Sequence, residues 1–288
     1  MTSFGARLQA AIAEYGGLVV GIDPHPGLLA AWGLDDSADG AAEMAGVVID
    51  ALAGRVAMVK PQAALFERFG SSGIAALEDT LELARDRGLL TLLDAKRGDI
   101  GSTMVAYAES YLGNASPLAA DAVTLSPYLG FESLRPALAL AAENERGVFV
   151  LALTSNPEGA AVQHAGMSTG RPVAAGIADA AAAENAAAAA HGTLGSVGLV
   201  VGATIGTVGR DLGIDFAATN APLLAPGVGA QGATMRQLTS VFGAAFTAGQ
   251  VLPTVSRAVL AAGPRRDELG RAVTELQADL TLVRTSAR

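Results

Sequence analysis

Cysteine is absent from the 288-residue chain, which removes disulfide frameworks, zinc–thiolate sites and a cysteine nucleophile. Histidine is scarce. The three present, His25, His164 and His191, are too scattered for a local metal motif, and no metal is expected. There is no excess of basic residues: 19 Lys and Arg face 28 Asp and Glu, a formal net charge of −9. That argues against a nucleic-acid-binding surface, while leaving room for a local basic pocket that takes a small anionic ligand. No segment matches the roughly 18 uninterrupted apolar residues of a membrane span; the alanine-rich stretch Ala174–Ala190 is broken by Asp179 and Glu184. The first residues, MTSFGARLQAAIAEYGG, have polar residues at helical spacing and read as an amphipathic helix rather than a signal peptide. A soluble, cytoplasmic protein without membrane partners is expected.

What the chain does have is apolar runs. With 51% apolar residues, it can build a large core. Eight short runs each close on polar or turn residues: Leu18–Ile22, Val56–Val59, Leu89–Leu93, Ala122–Leu125, Val148–Leu153, Gly198–Val201, Leu223–Ala225 and Val251–Val255. Near-continuous apolarity fits parallel strands covered on both faces. Helical patterns lie between them, at 41–53, 72–86, 103–112, 131–143 and 235–248. The alternation predicts a (β/α)8 TIM barrel, a single domain over 1–288, with a leading helix at 3–14 and a closing helix at about 265–283. An open doubly wound sheet is the other topology. It is weakened by the lack of G-x-G-x-x-G after the first strand. Residues 156–196 exceed what one crossover needs and read as an insertion near the barrel mouth after the fifth strand.

The chemistry concentrates where the strands end. In TLLDAKRGDIGST, residues 91–103, an apolar run gives way to Asp94, Lys96 and Asp99. Residues two apart in an extended strand share a face, so Asp94 and Lys96 project together, with Asp99 in the following turn. A capping ion pair is the plain structural alternative. Parallel barrels place active sites at their strands' C-terminal ends. The polar residues there are Asp23, Lys60, Asp94, Lys96, Asp99, Ser155, Gln231 and Arg257. Each alone also reads as turn chemistry, a snorkelling cation or a cap. Together they converge on one face. Pro226, Gly227 and Gly229 open a glycine-rich loop after the seventh strand, and Arg257 ends the eighth, the frequent location of a phosphate site in such barrels. Backbone N–H groups and a guanidinium there suit a phosphate dianion.

Four motifs in order, G-I-D-P at 21–24, V-K-P at 59–61, D-A-K-R-G-D-I-G-S-T at 94–103 and P-G-V-G-A-Q-G at 226–232, resemble the orotidine 5′-phosphate decarboxylase family. The K-R-G-D form and the long segment after the fifth strand are similar to its longer, second subfamily found in many bacteria. The resemblance covers essentially the whole barrel. It implies cofactor-free decarboxylation of orotidine 5′-phosphate to uridine 5′-phosphate in pyrimidine biosynthesis. Lys60, Asp94, Lys96 and Asp99 would form the catalytic network, with Asp99 reaching into the other site of a homodimer and Ile100 and Thr103 accompanying it. Asp23 would bind the ribose, Ser155 the pyrimidine, and Gln231 and Arg257 the phosphate. One departure stands in P-T-V-S-R at 253–257, where relatives often have glycine before the arginine. A Schiff-base aldolase using Lys60 or Lys96 and a non-catalytic nucleotide-binding barrel remain as alternatives.

Overall fold

A computed structural model describes residues 2–229 and 232–287. Eight parallel strands close into a barrel in sequence order: β1 (Val19–Ile22), β2 (Met58–Pro61), β3 (Leu90–Arg97), β4 (Ala122–Leu125), β5 (Gly147–Leu153), β6 (Val197–Val201), β7 (Leu223–Pro226) and β8 (Val251–Val255), with β8 pairing back to β1. All eight expected strands form. Their continuous apolarity follows from burial on both faces, by the barrel interior inside and by helices outside.

The interior is filled rather than hollow. Val19, Met58, Leu92, Ala122, Phe149, Val200, Leu224 and Leu252, one from each strand, pack in a single cluster with Phe4 and Leu8 of the leading helix Phe4–Tyr15. Phe4 meets Phe149 edge-on with ring centroids 6.2 Å apart. Gly147 makes that approach possible, because a Cβ there would lie 2.3 Å from the Phe4 ring. The leading helix therefore closes the N-terminal end of the barrel and leaves only the C-terminal end open. The larger apolar cluster lies between the strands and the surrounding helices.

Local chemistry sets the helix boundaries. Ser37 accepts from the Gly40 N–H at 3.1 Å to start Ala38–Leu52, and Thr234 with Gln237 forms a capping box ahead of Met235–Phe242. Two expectations need correction. The helix read as continuous over 235–248 breaks at Gly243, whose φ of 50° ends one helix before Ala244–Thr247 begins. The region 156–196 is not one insertion. Its second half, Val173–Ala190, is the regular crossover helix between β5 and β6. Asn185 pins this helix to the barrel by donating to the Val197 and Thr219 carbonyls and accepting from the Val197 N–H. Only residues 156–172 are extra, and they form two short turns and an isolated bridge at the mouth.

Candidate functional site

At the open end lies a cavity of about 300 Å3, lined by Asp23, Lys60, Asp94, Lys96, Pro226, Gly227, Thr254, Ser256 and Arg257 among others. Strand register brings these residues together. Gly21 of β1 pairs with Lys60 of β2, and Gln62, just past β2, bridges to Asp94 of β3.

Asp94 is the centre of the arrangement. One carboxylate oxygen, Oδ2, accepts from Lys60 Nζ at 3.0 Å and from Gln62 Nε2 at 3.1 Å. The other, Oδ1, accepts from Lys96 Nζ at 2.5 Å and from Thr124 Oγ1 at 2.9 Å. The four donors use all the lone-pair sites of a carboxylate. Burial alone would raise the Asp94 carboxyl. The Lys60 and Lys96 charges and their hydrogen bonds outweigh it and hold the group well below the usual carboxylate range. Lys60 is buried as well. Burial lowers its ammonium, but the Asp94 and Asp23 charges overcome that and leave it raised. Asp23 stands 3.9 Å from Lys60 Nζ, beyond hydrogen-bond reach.

Lys96 reaches Asp94 by a route that the strand pattern did not show. It is not extended: its φ is 49°, in the left-handed region, and the β3–β4 register shifts between Leu93 and Arg97. The Lys96 N–H turns onto Thr124 Oγ1 at 2.9 Å, and Nζ folds back onto Asp94.

On the β1 and β8 wall of the cavity the polar atoms are left differently. Asp23 Oδ1 and Ser256 Oγ are buried without a hydrogen-bond partner. Pro226 and Gly227 form part of the wall, and Gly229 turns the loop that follows, its N–H donating to the Ala233 carbonyl. Arg257 is exposed at the wall. Beside Lys96, Leu151 and Thr154 a second, mainly apolar cleft of about 550 Å3 continues toward Pro127, Tyr128, Val162 and Ile177.

A family model for the orotidine 5′-phosphate decarboxylase / HUMPS family matches residues 17–272. The chain belongs to that family. It is 59% identical over 279 residues to the orotidine 5′-phosphate decarboxylase of Salinispora arenicola, covering 97% of each chain. To that of Streptomyces coelicolor it is 54% identical over 288 residues, covering 100% of this chain and 95% of the relative. Among solved structures, one from Streptomyces avermitilis superposes with a TM-score of 0.93 at 52% identity, covering 99% of this chain and 97% of the other. Leishmania donovani OMP decarboxylase superposes at 0.77 with 31% identity, covering 99% and 100%.

Of the residues named from sequence, Asp23, Lys60, Asp94, Lys96, Pro226, Gly227 and Arg257 gather around the cavity. Asp99 does not join its own chain's cluster; it accepts from the Ile100 N–H at 2.8 Å. Ile100, Thr103 and Ser155 are exposed and are not among the residues lining the cavity. Gln231 lies outside the described residues. Sequence reasoning missed Gln62, Thr124 and Ser256. Gln62 and Ser256 are polar residues just past a strand's C-terminal end, the signal that could have found them; Thr124 lies inside β4 and carries no such signal. Among the described residues no group of three or more His, Cys, Asp or Glu side chains could hold a metal ion.

Proposed function

We propose that this chain converts orotidine 5′-phosphate to uridine 5′-phosphate and carbon dioxide as a member of the family's longer bacterial subfamily, with no metal or cofactor. The observation that carries the reading is Asp94, held ionised between two lysines at the edge of a cavity whose β1 and β8 wall offers Asp23, Ser256 and Arg257.

The bond from carbon 6 of the pyrimidine to its carboxylate breaks heterolytically. Carbon dioxide leaves, and the electron pair stays on carbon 6. A vinyl carbanion of this kind has no ring position to spread onto, so fixed charges must stabilise it. Lys96 places an ammonium there and delivers a proton to carbon 6. The neutral amine then recovers a proton from solvent, which reaches the half-exposed side chain. Lys60 and Asp94 need not move during the step, because their positions are fixed in advance by the hydrogen bonds around Asp94. Arg257 binds the remote phosphate and Asp23 the ribose. Phosphate binding holds the substrate in register and contributes to the rate as well as to affinity. The Schiff-base alternative fares worse, since the Asp94 and Asp23 charges raise the Lys60 ammonium and favour the charged form, which cannot attack a carbonyl, and Lys96 Nζ is already engaged by Asp94 Oδ1.

The same reading makes the active unit a homodimer. Asp99 is turned away from its own cluster. Ile100, which caps the helix Gly101–Leu112, Val105 within it, and Tyr128 and Leu129 in the loop after β4 are exposed apolar side chains, which suits contact with a second copy of this chain. Asp99, Ile100 and Thr103 would complete the partner's site.

Loss of orotidine 5′-phosphate absorbance with equimolar appearance of uridine 5′-phosphate tests the activity. Binding of uridine 5′-phosphate without turnover would support the non-catalytic alternative instead. For the shared site, Asp99→Ala and Lys96→Ala proteins are mixed under conditions of verified subunit exchange. Activity should return, because one of the two sites in a mixed dimer carries both lesions and the other carries none. Exchange without recovery would refute sharing.

A further inference from the structure

Thr124 lies in β4 with no exposed surface, and its single hydroxyl makes two hydrogen bonds whose directions chemistry fixes. A backbone N–H can only donate, so Oγ1 accepts from Lys96 N at 2.9 Å. An ionised carboxylate can only accept, so the hydroxyl proton goes to Asp94 Oδ1 at 2.9 Å. The same Asp94 oxygen also receives Lys96 Nζ. The path Lys96 N–H to Thr124 to Asp94 and back to Lys96 Nζ therefore closes on itself. It joins the two ends of one lysine through a hydroxyl from the neighbouring strand.

This ring forms where the backbone is least favourable. Lys96 has a φ of 49°, a region that side chains with a Cβ adopt at a cost. The β3–β4 ladder is interrupted at this position, so the Lys96 N–H needs a partner other than a β4 carbonyl. Thr124 supplies it. Its β-branched side chain has restricted χ1 freedom, which keeps the hydroxyl aimed at both partners.

We infer that Thr124 is a positioning residue for the decarboxylation. It holds Lys96 in the left-handed turn that sends Nζ back toward Asp94 and the cavity, and it fixes the orientation of the Asp94 carboxylate. Thr124 touches no substrate. It acts through Lys96 and Asp94, and the inference rests on the decarboxylase reading above.

Thr124→Val keeps the shape and removes both hydrogen bonds; Thr124→Ser restores a hydroxyl. In Thr124→Val, kcat should fall about 10- to 100-fold, the scale of leaving buried polar groups unpaired. KM and the dissociation constant for uridine 5′-phosphate should stay within about threefold, a shift well under one decade of affinity. Thr124→Ser should recover kcat to within about threefold, again a fraction of a decade. The acidic limb of the kcat profile should move up in the Val variant, because Asp94 loses a donor that favours its charged form. A purely structural lesion would not produce that limb shift or the split between kcat and binding. The inference is overturned if Val keeps kcat within threefold, if Ser is as impaired as Val, or if kcat and nucleotide affinity fall together. If Val does not fold, Thr124→Ala is measured the same way; failure of both to fold overturns it in favour of a structural role. If the parent turns over no orotidine 5′-phosphate, the decarboxylase reading fails separately. Positioning is then judged by hydrogen exchange at the Lys96 amide, which should accelerate in Val and not in Ser; unchanged exchange in Val would overturn it.

Discussion

The two sides of the cavity treat their polar atoms in opposite ways. On the β2–β4 side, Lys60, Gln62, Lys96 and Thr124 satisfy both oxygens of Asp94 from within the chain. On the β1 and β8 side, Asp23 Oδ1 and Ser256 Oγ are buried with no hydrogen-bond partner, and Arg257 stands exposed. The contrast matches two kinds of work. Stabilising a transient charge requires groups already aligned, because reorganising them during the step would cost part of the gain. Recognising a sugar phosphate requires groups with unused capacity, because a satisfied donor or acceptor has little to offer a ligand. Under the proposed function, the wired side would be the chemical half and the open side the binding half.

The largest expected effect comes from the wired side. Lys96→Ala removes the ammonium proposed to face the developing carbanion, together with its proton. Loss of one oxyanion donor costs about 10²- to 10³-fold in kcat, and loss of charge and proton source together should exceed that. Uridine 5′-phosphate affinity should change little, since the groups proposed to hold its phosphate and ribose, Arg257 and Asp23, are left in place. Steady-state kinetics beside calorimetry checks both, and turnover within about tenfold of the parent, below that donor cost, would remove Lys96 from the proposed role.

Next in size is a stability effect. In Asp94→Asn the buried Lys60 loses its counter-ion at 3.0 Å and keeps only Asp23 at 3.9 Å. Breaking a buried pair by removing one partner costs about 3–5 kcal/mol. A denaturant titration should show that loss, and a change under about 1 kcal/mol, the scale of an exposed pair, would mean that the cluster is not wired as described.

On the open side, Arg257→Ala should weaken uridine 5′-phosphate binding about 10- to 100-fold, the scale of a hydrogen bond to a charged group. Its signature is lost affinity, the reverse of Lys96→Ala. Equal losses of kcat and affinity in both variants would dissolve the distinction between the halves.

The smallest effect concerns pH. Asp94 has a depressed folded value, so its contribution to stability is present above the ordinary carboxylate range, about 4, and disappears as pH falls toward the folded value. Lys60 has a raised folded value, so its contribution is complete below the ordinary lysine range, about 10, and disappears as pH rises through the folded value. The pair should add no slope to stability between about pH 5 and 9, the window between those ordinary ranges. In Asp94→Asn that flatness should be lost: burial is no longer outweighed at Lys60, so the variant's deficit in denaturation midpoint should narrow as pH rises toward the ordinary lysine range, about 10.

The barrel was legible in sequence because each strand is a short apolar run that ends abruptly. Ala122–Leu125 and Val251–Val255 match their strands residue for residue. The same abrupt endings marked Asp23, Lys60, Asp94 and Arg257. What escaped depends on pairing between strands. Thr124 sits inside an apolar run and looks like an ordinary β-branched strand residue. Only the shifted β3–β4 register shows that its hydroxyl faces Asp94 and Lys96. Gln62 follows Lys60-Pro61 and gains its role only by bridging to Asp94. The left-handed Lys96 was invisible for the same reason, since K-R-G-D continues a strand pattern until β4 supplies the competing partner. Gly243 was a readable breaker inside the 235–248 pattern, where apolar periodicity was given more weight.

The central proposal is that fixed lysine and aspartate charges, completed by the partner subunit's Asp99, carry the chemistry in place of a metal. Its most direct test is the turnover number of the purified parent on orotidine 5′-phosphate, measured before and after exhaustive chelation. The account predicts the same kcat in both. Activity lost on chelation and restored by Mg²⁺ would contradict it.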